Sequence, residues 1–204
     1  MPAGGVPLTT PNSRVLTIPN ILSVIRLVLL PVFLYLLLAR HAWGWATAIL
    51  MFSGTSDWAD GKIARLVANQ SSRLGELLDP LVDRVYMAAV PLGLALAGVV
   101  PWWFVGLLLG RDVLLAAMLP VVRRRGVAAL PVTYIGKAAT FALMSGFPLI
   151  LLGQWDSGWS RVVGAIGWGF VIWGAGMYLW SAALYLIQVR MVVARLPKVR
   201  DAAT

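Results

Sequence analysis

Four aspartates, Asp57, Asp60, Asp79 and Asp83, fall within 27 consecutive positions of a chain that contains eight acidic residues in all. They lie within two predicted membrane-spanning segments, and an ionised carboxylate costs about 2.5–3.5 kcal/mol at the centre of a membrane-inserted helix, so four would cost about 10 kcal/mol. A bound divalent metal ion can offset that cost. The sequence therefore indicates a metal site rather than four isolated charges.

The spacing of the aspartates predicts how they are presented. Asp57 and Asp60 are spaced i, i+3, and Asp79 and Asp83 are spaced i, i+4, so each pair shares one face of its helix. A short connection joins the two predicted helices as antiparallel neighbours, which lets the pairs face each other. Converging carboxylates suit magnesium or manganese ions. Pairs of such ions commonly assist displacement reactions at phosphorus.

The residues around the acids fit phosphate chemistry. Gly61 and Gly75 carry no side chain and would let a ligand approach the backbone closely. Arg65 could meet a phosphate with its guanidinium group. The residues alone thus predict a two-metal site for phosphate or pyrophosphate chemistry, opening toward the cytosol within the membrane.

Composition indicates an integral membrane protein. Of the 204 residues, 60% are hydrophobic and 12% are charged, about half the charged fraction of an ordinary soluble domain. The net charge of +9 accompanies basic residues that flank apolar runs, so the expected partners are anionic membrane lipids and not nucleic acid. The absence of cysteine excludes disulfide and thiol chemistry.

Hydropathy predicts an all-α integral membrane protein with six transmembrane helices. We expect a juxtamembrane leader at 1–17, a six-helix domain at 18–195 and a basic tail at 196–204. The predicted spans are 19–38, 44–68, 75–99, 101–122, 132–152 and 162–191.

Two independent patterns orient these spans. With a cytoplasmic N-terminus, twelve Lys and Arg residues fall on the inner side and two, Arg40 and Arg161, on the outer side. Tryptophans mark the three predicted outer turns as an aromatic belt: Trp43, Trp45, Trp102, Trp103, Trp155 and Trp159. Both termini and the active site are therefore predicted to face the cytoplasm, and the expected location is a bacterial cell membrane.

The stretch from Ser56 to Arg84 resembles the CDP-alcohol phosphotransferase signature, D-x-x-D-G-x-x-A-R-x(8 or 9)-G-x-x-x-D-x-x-x-D. Every fixed position is present, with nine residues between its arginine and the following glycine: Asp57, Asp60, Gly61, Ala64, Arg65, Gly75, Asp79 and Asp83. The opening IPNILSVIRL, from Ile18 to Leu27, is similar to the phosphatidylglycerophosphate synthase and eukaryotic-type cardiolipin synthase branch.

The resemblance implies an enzyme that transfers a substituted phosphate from a CDP-linked donor, here CDP-diacylglycerol, to an alcohol and releases CMP. It implies two divalent cations, Mg²⁺ or Mn²⁺, held by the four aspartates, with Asp83 also acting as general base on the acceptor hydroxyl. Gly61, Ala64, Arg65 and Gly75 would line the CDP site. Family resemblance also implies a homodimer.

The resemblance implies a glycerol-type alcohol as acceptor, and basic residues in or near the later spans are its candidate ligands: Arg111, Lys137 and Arg190. The segment from Gly136 to Thr140 resembles a G-K-x-K-T pattern in which Ala139 replaces the second lysine. The missing cation favours phosphatidylglycerol, whose phosphodiester carries less charge, over glycerol 3-phosphate as the alternative.

Other roles remain open for some of these residues. The aspartates could serve a cation carrier, although a carrier has no need for the glycines and arginine in register with the acids. A catalytically silent membrane scaffold is a further alternative. Arg111 could form an internal ion pair with Asp112, and Lys137 could extend to the membrane interface.

Overall fold

The computed structural model describes the backbone of residues 18–66, 73–127 and 134–195, and the side chains of residues 21–56, 81–127 and 134–194. This part of the chain is all-helical and contains six helices. Their bounds are α1 Ile18–Leu38, α2 Trp43–Leu66, α3 Arg73–Leu96, α4 Trp102–Arg123, α5 Tyr134–Leu152 and α6 Gly158–Arg195.

The six helices match the six predicted segments in order and position. Within the described residues, four of them are long and apolar enough to cross a membrane: α1, α4, α5 and α6. Helices α2 and α3 are of similar length, 24 residues each, but they carry the charged motif, which lowers their mean hydropathy.

Helix α1 supports the two helices that carry the motif. It packs against both α2 and α3, and α5 packs against α2 and α6. Helix α4 contacts α3 and α6, which completes the bundle. The core between these helices is apolar and includes Phe33, Leu37, Val90, Leu94 and Phe147. The motif helices are thus supported by a packed core at the ends opposite their charged residues.

Contacts between turns define which helix ends lie on the same side. A methyl group on Gly44 would lie 3.3 Å from Trp155, so the α1–α2 turn adjoins the α5–α6 turn. At the other side, Arg125 donates a hydrogen bond of 2.7 Å to the carbonyl of Val193. These contacts agree with the alternating topology expected from the sequence.

Glycines bring α5 and α6 into close contact. A Cβ atom on Gly153 would lie 2.6 Å from Cα of Gly164, and one on Gly167 would lie 2.7 Å from the backbone nitrogen of Ile150. Small residues allow helix backbones to approach this closely, and in a membrane such packing drives helix association. Among the described residues, the α5–α6 pair therefore forms the most extensive helix–helix interface.

Helix α6 is longer than a single span requires. Its 38 residues correspond to about 57 Å at 1.5 Å per residue, against a hydrocarbon thickness of about 30 Å. The sequence predicted a shorter element, 162–191, so the helix exceeds the prediction by four residues at each end. The additional C-terminal residues lie beside the α4–α5 turn, where Arg125 donates a hydrogen bond to the carbonyl of Val193.

Candidate active site

The aspartate motif occupies the second half of α2 and the first half of α3. Both segments are helical, so the i, i+3 and i, i+4 spacings place each pair on one helix face, as expected. The side chains of residues 57–80 lie outside the described part of the structure. The roles predicted there remain predictions, and they concern Asp57, Asp60, Gly61, Ala64, Arg65, Gly75 and Asp79.

Asp83, the predicted general base, is the motif aspartate whose side chain the structure describes. Its Oδ1 atom lies 3.2 Å from Nη1 of Arg26 in α1, an ion pair that is also a hydrogen bond. The Arg26 side chain is 4% exposed, whereas that of Asp83 is 52% exposed. The cation is therefore fixed within the bundle, and the carboxylate is accessible from outside it.

A chain of hydrogen bonds continues from Arg26 to α2. The Tyr86 hydroxyl lies 2.7 Å from the carbonyl oxygen of Arg26, and the Ser53 hydroxyl lies 3.1 Å from the Tyr86 hydroxyl. Both side chains are buried, since Tyr86 is 5% and Ser53 4% exposed. Three helices are thus joined by polar contacts directly beside Asp83.

A second polar cluster lies where α3, α4 and α6 meet. Asp112 accepts hydrogen bonds of 2.9 Å from Arg111 and 2.5 Å from the Tyr178 hydroxyl. Arg84, the residue after Asp83, lies 3.6 Å from the same carboxylate oxygen. The Arg111 guanidinium also stacks 4.0 Å from the centre of the Tyr178 ring. The carboxylate of Asp112 therefore lies beside cations from α3 and α4 and accepts a hydrogen bond from a hydroxyl of α6.

The three acceptor candidates lie in different surroundings. Arg111 is largely buried and engaged by Asp112, so the internal ion pair considered from the sequence is present. Lys137 and Arg190 are exposed, and the Lys137 ammonium lies 5.9 Å from the Tyr134 ring. Among the described side chains, no hydrogen bond or ion pair joins any two of these three residues. The predicted acceptor pocket therefore remains a prediction.

The residues present suit a divalent metal ion by their chemistry. Four carboxylates on two helical faces form an all-oxygen donor set, which hard cations prefer. The described side chains alone contain no group of three His, Cys, Asp or Glu residues that could hold a metal, because three of the four motif aspartates lie outside them. The donor set thus fits the predicted ions, and their number and identity remain proposals.

Bundle and motif together define a class: an all-helical protein with apolar helices of membrane length and an acidic motif suited to phosphate chemistry. The model of the family described as CDP-alcohol phosphatidyltransferase matches residues 16–173. The chain belongs to this family, as its resemblance to the signature predicted, and it is a transferase. Enzymes of the family generally depend on divalent metal ions.

Similar proteins refine this placement. A Mycobacterium tuberculosis protein assigned provisionally as a cardiolipin synthase is 62% identical over 97% of this chain and 93% of its own length. The cardiolipin synthase (CMP-forming) of Streptomyces coelicolor is 46% identical over 89% of this chain and 86% of its own. A second M. tuberculosis protein, provisionally a phosphatidylglycerophosphate synthase, is 31% identical over 69% of this chain and 68% of its own.

Several polar residues near the site were not singled out from the sequence. Ser53, Tyr86 and Tyr178 carry no charge, and a hydroxyl in an apolar helix gives little sign of its partner. For Ser53 and Tyr86, the spacing to the motif could have indicated a position near the site. Ser53 lies four residues before Asp57, and Tyr86 lies three residues after Asp83. Such spacings put each hydroxyl on the same helix face as a motif aspartate.

Proposed function

We propose that this enzyme synthesises cardiolipin by transferring the phosphatidyl group of CDP-diacylglycerol to phosphatidylglycerol, with release of CMP. The observation that carries the proposal is the 46% identity, over most of both chains, to an enzyme named cardiolipin synthase (CMP-forming). The complete aspartate signature supports the same chemistry. Family membership favours this enzyme over the cation carrier and the silent scaffold considered from the sequence.

In the proposed reaction, the acceptor hydroxyl oxygen bonds to the phosphorus that carries diacylglycerol, and the bond from that phosphorus to the CMP oxygen breaks. Asp83 takes the proton of the hydroxyl, for which its accessible carboxylate is suited. Arg26 holds one carboxylate oxygen and so limits the orientations that Asp83 can adopt. Two bound Mg²⁺ or Mn²⁺ ions would supply stabilisation of the pyrophosphate charge.

The other motif residues are assigned by their positions in the signature. Asp57, Asp60 and Asp79 would hold the ions together with Asp83, and Arg65 would meet the donor phosphates. The three small residues Gly61, Ala64 and Gly75 would leave room for the CDP group. The helical backbone at these positions supports the shared faces that this assignment needs.

Phosphatidylglycerol is the proposed acceptor, and the sequence around Lys137 is consistent with it. Ala139 is fully buried where a second lysine would stand, so this position offers neither charge nor access. Lys137 and Arg190, both exposed, are the candidates to meet the single charge of the acceptor phosphodiester; Arg111 is a third, although Asp112 already engages it. Glycerol 3-phosphate is the alternative acceptor.

We further propose the arrangement of the chain in a bacterial cell membrane. Six helices span the bilayer, α2 and α3 included, with both termini and the active site on the cytoplasmic side, as the distribution of Lys and Arg indicates. The membrane domain is 18–195, preceded by the leader 1–17 and followed by the basic tail 196–204. A homodimer is expected from the family.

The test measures CMP release by the purified protein in mixed micelles that contain CDP-diacylglycerol and Mg²⁺ or Mn²⁺. Phosphatidylglycerol and glycerol 3-phosphate are supplied in parallel, and Asp83→Asn is the control variant. We expect release with phosphatidylglycerol that is lost in Asp83→Asn. Release with glycerol 3-phosphate alone would replace the proposed acceptor, and release with neither would contradict the proposed reaction.

A further inference from the structure

The hydroxyl of Tyr86 is the meeting point of three helices. It lies 2.7 Å from the Arg26 carbonyl of α1 and 3.1 Å from the Ser53 hydroxyl of α2, while Tyr86 itself belongs to α3. All three side chains are buried. No substrate can therefore reach this hydroxyl without opening the bundle, so any role in the reaction has to act through other residues.

The direction of these hydrogen bonds follows from the chemistry of the groups. A carbonyl oxygen only accepts, so the single proton of the Tyr86 hydroxyl is donated to Arg26. The Ser53 hydroxyl must then donate to the oxygen of Tyr86. The series of hydrogen bonds therefore has one direction, from Ser53 in α2 through Tyr86 in α3 to Arg26 in α1. Each of the two hydroxyl protons has a defined acceptor.

Both hydroxyl residues of this hydrogen-bonded series lie within one helical turn of a motif aspartate in the sequence. Ser53 is four residues before Asp57, one helical turn along α2, and Tyr86 is three residues after Asp83 on α3. The residue whose carbonyl ends the chain, Arg26, also holds Oδ1 of Asp83 through its guanidinium at 3.2 Å. A shift of α2 along α3 would therefore break a hydrogen bond and move the two aspartates relative to each other.

We propose that Ser53, Tyr86 and Arg26 form a positioning clamp that holds Asp83 in catalytic register with the aspartate pair of α2. The proposal rests on the proposed function, in which those aspartates act on one phosphorus. The clamp residues are positioning residues, because Ser53 and Tyr86 act through the helices they join. Displacements of about 1 Å in a catalytic group can cost about a hundredfold in rate, so a small slippage is measurable.

The test uses variants that each remove one hydroxyl. Tyr86→Phe removes both hydrogen bonds of the clamp, and Ser53→Ala removes the bond to α2. Thr47→Val is the matched control, since Thr47 is a buried residue of the same helix whose hydroxyl bonds to the carbonyl of Trp43 at 2.8 Å, within α2. It loses a buried hydroxyl and no contact between helices.

Two readouts are taken on the full-length protein in micelles. One is kcat and KM for CMP release from CDP-diacylglycerol. The other is the Mn²⁺ midpoint. This is the Mn²⁺ concentration, in the absence of substrate, at which the shift in unfolding temperature reaches half of its maximum. In Tyr86→Phe and Ser53→Ala we expect kcat to fall about tenfold with KM within about twofold of the original, and the Mn²⁺ midpoint to rise about tenfold. Thr47→Val should change neither readout.

Wild-type kcat and Mn²⁺ midpoint in either clamp variant, whatever its loss of thermal stability, would overturn the proposal. So would equal changes in Thr47→Val, because these would reflect a general loss of a buried hydroxyl. Failure of the proposed function is separately visible: the unsubstituted protein would then release no CMP. The Mn²⁺ midpoint would still test the clamp in that case.

Discussion

Removing the charge of Asp112 should destabilise the bundle through Arg111. The Arg111 side chain is 11% exposed and Asp112 is 23% exposed, with 2.9 Å between them. Asp112→Asn keeps the shape of the residue and a carbonyl oxygen that can still accept the Tyr178 proton. It deletes the negative charge that compensates the buried guanidinium.

The magnitude follows from this burial. Breaking a buried ion pair from one side costs about 3–5 kcal/mol, and the partial exposure of Asp112 places the expected loss near the lower end, about 3 kcal/mol. Arg84, at 3.6 Å, adds little to the loss because its side chain is 71% exposed. Replacing both charges, as in Arg111→Met with Asp112→Asn, leaves no uncompensated charge and should bring stability to within about 1 kcal/mol of the original.

Thermal unfolding in detergent, followed by intrinsic fluorescence, is the suitable assay. The chain offers ten tryptophans as reporters and no cysteine for thiol-reactive dyes. A loss of about 3 kcal/mol corresponds to about 6–12 °C for a chain of this size. The two single variants and the double variant form a cycle with an expected coupling of at least about 2 kcal/mol. Additive losses, with the double variant less stable than both single variants, would refute the ion-pair reasoning.

The remaining predictions concern helix packing and metal dependence. Gly167→Ala should lower the free energy of unfolding by about 1–3 kcal/mol, because its Cβ would lie 2.7 Å from the backbone nitrogen of Ile150. Gly169→Ala, with open space around its Cβ, should be neutral or stabilising by up to about 1 kcal/mol; equal effects of the two, measured by thermal unfolding, would contradict the packing. Chelation of divalent metal with EDTA should abolish CMP release, and excess Mg²⁺ or Mn²⁺ should restore it; release that persists in EDTA would exclude the metal-assisted reaction.

Local sequence patterns predicted the helices well because each helix carries its own signal. Apolar runs of about 20 residues separated by polar turns predict six helices, and the structure has six in the described part of the chain. The main difference is α6, which continues to Arg195 beyond the predicted end at 191. Val192, Val193 and Ala194 are apolar, so hydropathy alone does not mark where this helix ends.

Reaction class was also predictable, because eight fixed residues at fixed spacing lie within one local stretch. The preference for phosphatidylglycerol over glycerol 3-phosphate, inferred from Ala139, agrees with the cardiolipin synthase names of the similar proteins. Contacts between helices were not predictable in the same way. The pairing of Arg26 with Asp83 joins residues 57 positions apart, and nothing in the local sequence of either residue indicates the other.

Arg26 changes the charge balance of the aspartate cluster. From the sequence alone, bound metal was the natural compensation for four carboxylates in an apolar bundle. The structure adds a cation that belongs to the protein, buried in α1 and paired with Asp83. One aspartate thus has a partner of opposite charge within the protein before any ion binds. The same pairing holds one oxygen of Asp83, so α1 would contribute to the proposed active site although its sequence contains no acidic residue.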